Sequence, residues 1–203
     1  GSEMCIRDRG SGTNVLNVNT LTVGGNSGRA NGTLTFNDSS GTLKIRSLTD
    51  SINGRATLNV GNINFATGLS QTGNVFNTNG HSADLYFGTM TIGSRADGSG
   101  TTGGTFSFDT GTLDANALIV GNRAAGADGT ATTTGIVNIG GGTAVFNSTA
   151  GPVQLGTNAS TTAGSTASGT LNISGGSVTV AANGGNSFPV SYTHLTLPTK
   201  RIV

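Results

Sequence analysis

The sequence holds no tryptophan, one cysteine and three prolines, and charged residues fill only 9% of its 203 positions. Each scarcity excludes something. A single thiol supports neither an intramolecular disulfide nor a thiolate metal site. Leu, Glu and Lys at 3.6-residue spacing, the mark of an amphipathic helical protein, do not occur. No stretch approaches the ~20 consecutive apolar residues of a membrane-spanning helix. The formal net charge of +1 is too small to argue for nucleic acid or an anionic membrane.

The two ends stand apart from the rest. Residues 1–9 (GSEMCIRDR) and 189–203 (PVSYTHLTLPTKRIV) share none of the internal pattern, and both resemble translated sequencing-library adapter. They are therefore expected to be adapter-derived tails, not native, and are set aside before fold reasoning. Without them Cys5 is gone, as are Glu3 and His194. Residues 10–188 keep seven aspartates against Lys44, Arg29, Arg46, Arg55, Arg95 and Arg123, a net charge of −1. On this reading the native portion is a fragment, so the lack of a signal peptide carries no information. No linker divides residues 10–188, which read as one β-solenoid repeat domain.

What remains is a repeat. Gly169–Val180 (GTLNISGGSVTV) recurs as Gly135–Phe146 (GIVNIGGGTAVF), Gly104–Ala115 (GTFSFDTGTLDA) and Gly32–Ile45 (GTLTFNDSSGTLKI). Each copy is an alternating strand, a glycine-bearing turn and a second alternating strand. Residues two apart share a face of a strand. Leu171 and Ile173 thus point inward with Val178 and Val180, as do Val137, Ile139, Phe106 and Phe108. Thr170, Asn172, Asn138 and Thr179 point outward, and Lys44 and Asp114 fall on outward positions.

A third strand, apolar-x-apolar-Gly, precedes each copy: Leu21–Gly24, Met90–Gly93, Leu118–Gly121 and Val153–Gly156. Three short strands at a period near 30, with loops of uneven length, mark a solenoid. The fold expected is all-β, a right-handed parallel β-helix (β-solenoid) of about five coils of three short strands. Equivalent residues then stack at the ~4.8 Å strand spacing. Between residues 46 and 88 the register is open, because Leu58–Gly61 fits either kind of strand. Residues 94–103, 122–134 and 157–168 read as long loops leaving one edge.

The strands LNI-SGG-SVTV, with LIVG and VQLG ahead of their copies, resemble the β-strand repeats of bacterial autotransporter passengers and related repeat-rich surface proteins. The resemblance covers residues 13–183 approximately. It implies export, a right-handed β-helix, and an adhesin or stalk role, in an extracellular or bacterial cell-surface location. The C-terminal barrel or sorting signal of such proteins is not in this sequence.

β-Helices also carry polysaccharide lyases and hydrolases, whose chemistry needs acids close together on neighbouring coils. Here Asp38, Asp50, Asp84, Asp97, Asp109, Asp114 and Asp128 are scattered, most in turns, where aspartate bonds its own backbone. Asp109 and Asp114 come nearest to a pair. His81 stands alone in an Asn-Gly-His-Ser turn. One aspartate per loop rarely fills the six to eight oxygen positions of calcium, and no helix or lysine follows the glycine runs as a phosphate loop requires. No catalytic residue, metal site or cofactor is therefore expected. The residues left over are a recurring Arg-Ala pair. Stacked coils would bring Arg29, Arg95 and Arg123 to one edge as a shallow basic strip for an acidic surface polysaccharide.

The expected function is non-enzymatic: an extracellular solenoid segment acting as a rigid stalk or adhesin-like display surface. Its partners would be an acidic polysaccharide or another cell-surface ligand, with self-association through exposed solenoid ends. The alternative is a fragment of a carbohydrate-active β-helix enzyme, lyase or hydrolase, whose active-site coils lie mostly outside this piece.

Overall fold

The computed structural model describes residues 12–24, 30–38, 40–64, 68–127, 129–147 and 153–181. The adapter-like tails lie outside these residues. The chain runs through about five turns of a parallel β-solenoid. The first coil holds β1 (Thr13–Asn17), β2 (Thr20–Val23) and β3 (Thr33–Leu34), and the second β4 (Thr42–Arg46), β5 (Ala56–Asn64) and β6 (Gln71–Asn77). The third is one long strand, β7 (Ser82–Asp97), followed by β8 (Thr102–Phe108). The fourth repeats this with β9 (Gly111–Gly126) and β10 (Thr132–Ile139). The fifth holds β11 (Thr143–Asn147), β12 (Val153–Asn158) and β13 (Thr166–Ile173), and β14 (Ser177–Ala181) starts the next turn.

Three ladders follow. The first face joins β1, β4, β7, β9, β11 and β14, the second joins β2, β5, β7, β9 and β12, and the third joins β3, β6, β8, β10 and β13. All pairings are parallel. The repeated sequence unit therefore spans a boundary: its first strand closes one coil on the third face, and its second opens the next coil on the first face. Gly142 and Gly176 take φ of 71° and 77° in the intervening turns. These turns are laddered too, with Ser177 N–H donating to the Gly142 carbonyl at 2.9 Å.

Inward side chains stack as the alternation requires. Leu58, Met90, Leu118 and Val153 form one column on the second face, and Ile45, Leu85, Leu113 and Ala144 one on the first. Phe106, Phe108, Val137 and Ile139 are fully buried. Phe76 meets Phe106 edge to face, with ring centroids 5.3 Å apart. Removing each such side chain from water contributes about 1.5–3 kcal/mol. Leu171 is only partly buried, because β13 lies at the end of its ladder among the described residues.

The open register resolves on the second face. Leu58 pairs with Leu21 below and Met90 above, so β5 is the apolar-x-apolar-Gly strand of its coil. The period was blurred by an inserted turn, Ser47–Gly54, between the first and second faces. Asp50 organises it by accepting from Ile52 N–H and Asn53 N–H, each at 2.9 Å.

The outward first face carries the charges. Arg46 donates to Asp84 at 2.6 Å, and Arg55 grips both Asp114 oxygens at 2.9 and 2.8 Å. The Tyr86 ring lies between them, 3.6 Å from the Arg46 guanidinium carbon.

A seam of glycines closes the third side. Gly93 and Gly121 take φ of 64° and 65°, a region open to glycine at little cost. Their backbones lie against the third-face strands: a Cβ on Gly135 would collide with the Ile92 carbonyl and the Gly121 nitrogen, and one on Gly121 with the Ser168 carbonyl. In the second coil Asn74 occupies the position in register with Gly104. Its side chain accepts from Gly32 N–H at 3.0 Å and donates to the Gly103 carbonyl at 2.8 Å, so one amide ties three coils together.

Candidate functional site

The seam does more than close the core. Beyond it, β5, β7 and β9 run on outward, and β6, β8, β10 and β13 begin before returning to it. The rungs start in register, Asn62 pairing with Ser94, Ser94 with Asn122 and Asn122 with Thr157, and the register shifts after Ile63 and Arg95. The result is a side lobe with its own interior. Segments 94–103 and 122–134, read as loops from the sequence, are ladder over most of their described residues, whereas 157–168 is ladder only at 157–158 and 166–168 and remains a loop between them.

The residue two places after the seam glycine points into this lobe. In successive coils it is Ile63, Arg95, Arg123 and Asn158, stacked in register. Ile63, Arg95 and Arg123 are fully buried, as are Thr102 and Thr133 on the returning arm. Ile63 and Ala127 are buried yet stand outside the main apolar cluster. The interior of the lobe is polar where the main core is apolar.

This corrects the expected basic edge. Arg95 and Arg123 do emerge on one side in adjacent coils, but neither is presented to solvent. Arg95 donates to the Leu69 carbonyl at 2.8 Å and the Gly98 carbonyl at 3.3 Å. Arg123 donates to the Gly129 carbonyl at 3.2 Å and the Thr133 hydroxyl at 3.4 Å. The reason is geometric. Tip turns leave carbonyls facing the lobe interior, and a guanidinium offers five donors in one plane to satisfy them. Burial pushes Arg95 below the usual arginine range, and the neighbouring Arg123 cation adds to this, while Asp97 opposes it. The third member, Arg29, lies outside the described residues.

The sequence did carry a signal for the lobe. Ile63 holds the same offset from its glycine as the arginines, and an isoleucine there marks an inward position. Reading the arginines as a basic strip on one edge missed it.

The described aspartates are each occupied. Asp109 accepts Gly80 N–H with both oxygens, at 2.9 and 2.8 Å, whereas Asp114 holds Arg55, so the two nearest acids serve different partners. Asp38 accepts from Ser40 N–H and Asp97 from Gly98 N–H, each bracing its own turn. Backbone donation from Asn53 and Ile52 holds the Asp50 carboxyl below its ordinary value of 3.8. Asp128 lies outside the described residues. His81 is 8% exposed and stacks flat on Phe36, with ring centroids 3.8 Å apart. Among the described residues, no three His, Cys, Asp or Glu side chains converge as a metal site would require.

Two apolar features remain. A shallow groove of about 50 Å³, open to solvent, lies where the first coil meets the second, lined by Leu16, Leu34, Phe36, Leu43 and Phe76 among others. Leu48 and Ile52 project from the Ser47–Gly54 turn, 65% and 70% exposed. Comparison with known proteins finds no matching family model, no matching curated protein and no matching solved structure.

Proposed function

We propose that the chain is a non-enzymatic segment of an extracellular or cell-surface protein, a rigid spacer that displays its lobe tips and outward faces. The observation that carries this reading is the unbroken laddering of all three faces through the coils. Backbone bonding that continues from rung to rung, around a column of fully buried side chains, resists bending and local opening. The described aspartates, each engaged by a backbone amide or an arginine, suit the same purpose. They hold turns and strand faces in fixed places.

A rod that displays a surface is tested by immobilising it. Beads coated with the full chain should adhere to cells or cell-wall material above the level of beads coated with an inert protein. Incubation with a panel of acidic and neutral polysaccharides should release no reducing ends or unsaturated sugars. Release would replace this reading with the carbohydrate-active alternative. Sedimentation across a range of concentrations tests the proposed self-association, which should appear as end-to-end oligomers.

A further inference from the structure

The third-face ladder differs from the first in one respect. None of its five strands, β3, β6, β8, β10 and β13, contains a charged residue. Its outward side chains fall into two rows along the solenoid axis. One runs through Thr105, Ile136 and Thr170, and the other through Asn138 and Asn172, continued by Ser107, which is itself buried at 8% exposure. The second row is itself hydrogen bonded, Asn172 Nδ2 to Asn138 Oδ1 at 2.9 Å and Asn138 Nδ2 to Ser107 Oγ at 3.1 Å.

We propose that this face is a docking surface for an uncharged, extended polysaccharide lying along the solenoid axis. The inference rests on the display reading above and names the ligand class displayed to. Three observations select the occupant. First, a charge-free face exerts no pull on a polyanion, and desolvating a charge against it would cost affinity. Second, its chemistry is mixed in the way a neutral glycan is. Hydroxyls and amides stand in one row for sugar hydroxyls, and Ile136 with the threonine methyls stands in the next for sugar C–H faces. The amide row is pre-ordered by its own hydrogen bonds, so less side-chain freedom is lost on binding. Third, size disfavours a second copy. Four strands of seven or eight residues and a two-residue fifth, at ~4.8 Å between strands and ~3.3 Å per residue, make a face of roughly 500 Å². That falls below the ~800 Å² per partner of a standard protein interface. A long polymer contacts such a face without needing its breadth.

The test uses the full chain with cellohexaose and mannohexaose as neutral probes and polygalacturonate as the acidic one. Binding is read by calorimetry at about 50 and 500 mM salt, where screening separates charged from uncharged contacts. A neutral probe should bind with affinity unchanged by salt. The Thr170→Arg/Asn172→Arg variant should lose binding at least tenfold, while Thr143→Arg on the first face should not. Thermal melting and circular dichroism confirm that each variant is folded, and Asn172→Gln, which keeps the amide, offers a milder probe that should lose less. The proposal is overturned if neither neutral probe binds at millimolar concentration, or if face and control variants bind alike. It is equally overturned if only polygalacturonate binds, weakening with salt, or if sedimentation shows a dimer that Thr170→Arg/Asn172→Arg disperses. Adhesion that persists in the face variant would leave the display reading standing and remove this inference alone. Cleavage of a probe would remove the display reading itself.

Discussion

The solenoid has two interiors, separated by a glycine seam. On one side Phe106, Phe108, Val137 and their neighbours stack like on like, with no polar group to satisfy. On the other, Arg95 and Arg123 stack cation on cation, and Thr102 and Thr133 face them from the returning arm. Both interiors are equally closed to water, yet they are held together differently. The main core gains from area removed from water, a term indifferent to direction. The lobe gains little that way. It depends on guanidinium donors meeting turn carbonyls at specific angles, where an unmet group costs about 1–3 kcal/mol. Identical backbone ladders thus support two kinds of packing, and the side chain two places after the glycine decides which.

Truncation in the main core should break the molecule most. Phe108→Ala is expected to cost about 3–5 kcal/mol in denaturant unfolding. A much smaller loss would mean that the two interiors share the load.

The seam comes next. Gly121→Ala sets a Cβ against the Ser168 carbonyl at a φ of 65°. Overpacking and left-handed strain together should cost about 2–4 kcal/mol. An alanine tolerated there would show that the interiors are not pinched apart.

Within the lobe, Arg123→Ala should cost about 1–3 kcal/mol by stranding buried acceptors. Arg123→Met, which refills the volume without the donors, should recover only the part of that loss that comes from packing of the side-chain stem. Equal costs for Ala and Met would assign the role of Arg123 to hydrogen bonding alone. Hydrogen exchange gives a second view: lobe-tip amides near Gly98 and Gly129 should exchange faster than those of Val137 or Leu118.

On the outside the effects should shrink. Asp84→Asn removes the partner of Arg46 from a site where the carboxylate is 46% exposed, so the change should stay within about 1 kcal/mol. Thr179→Ala, outward on β14, should stay within ~0.5 kcal/mol. Asp50 predicts the smallest and most local response. Its carboxyl is held below 3.8 by the Asn53 and Ile52 amides. Its contribution to the turn is therefore fully present above that value and lost as pH falls through the lower folded value. The Ile52 and Asn53 amide resonances should shift over that acid range while core resonances do not. A shift near neutral pH would contradict the bond.

Much of this is legible in the sequence. Period-two apolar residues at Leu43/Ile45, Leu113/Ala115 and Ala144/Phe146 assign their faces correctly, because one side of each strand has nowhere else to go. The apolar-x-apolar-Gly strands were equally clear, and pairings such as Ile92 with Val120 follow from their spacing. The inserted turn at Ser47–Gly54 hid the register of β5, since an insertion shifts spacing without changing the pattern on either side.

The lobe was another matter. Arginine in a stretch rich in glycine and serine looks solvated, and local sequence says nothing about carbonyls contributed by Leu69, Gly98 and Gly129 from distant points of the chain. Sequence alone determined that this protein is a stack of β coils, and which residues line its apolar column, because strand alternation and hydrophobic burial are set residue by residue. Only the tertiary structure decided that the glycines form a seam, that a second interior lies beyond it, and that two arginines turn inward there. A buried cation is acceptable only where the whole fold has already assembled acceptors around it.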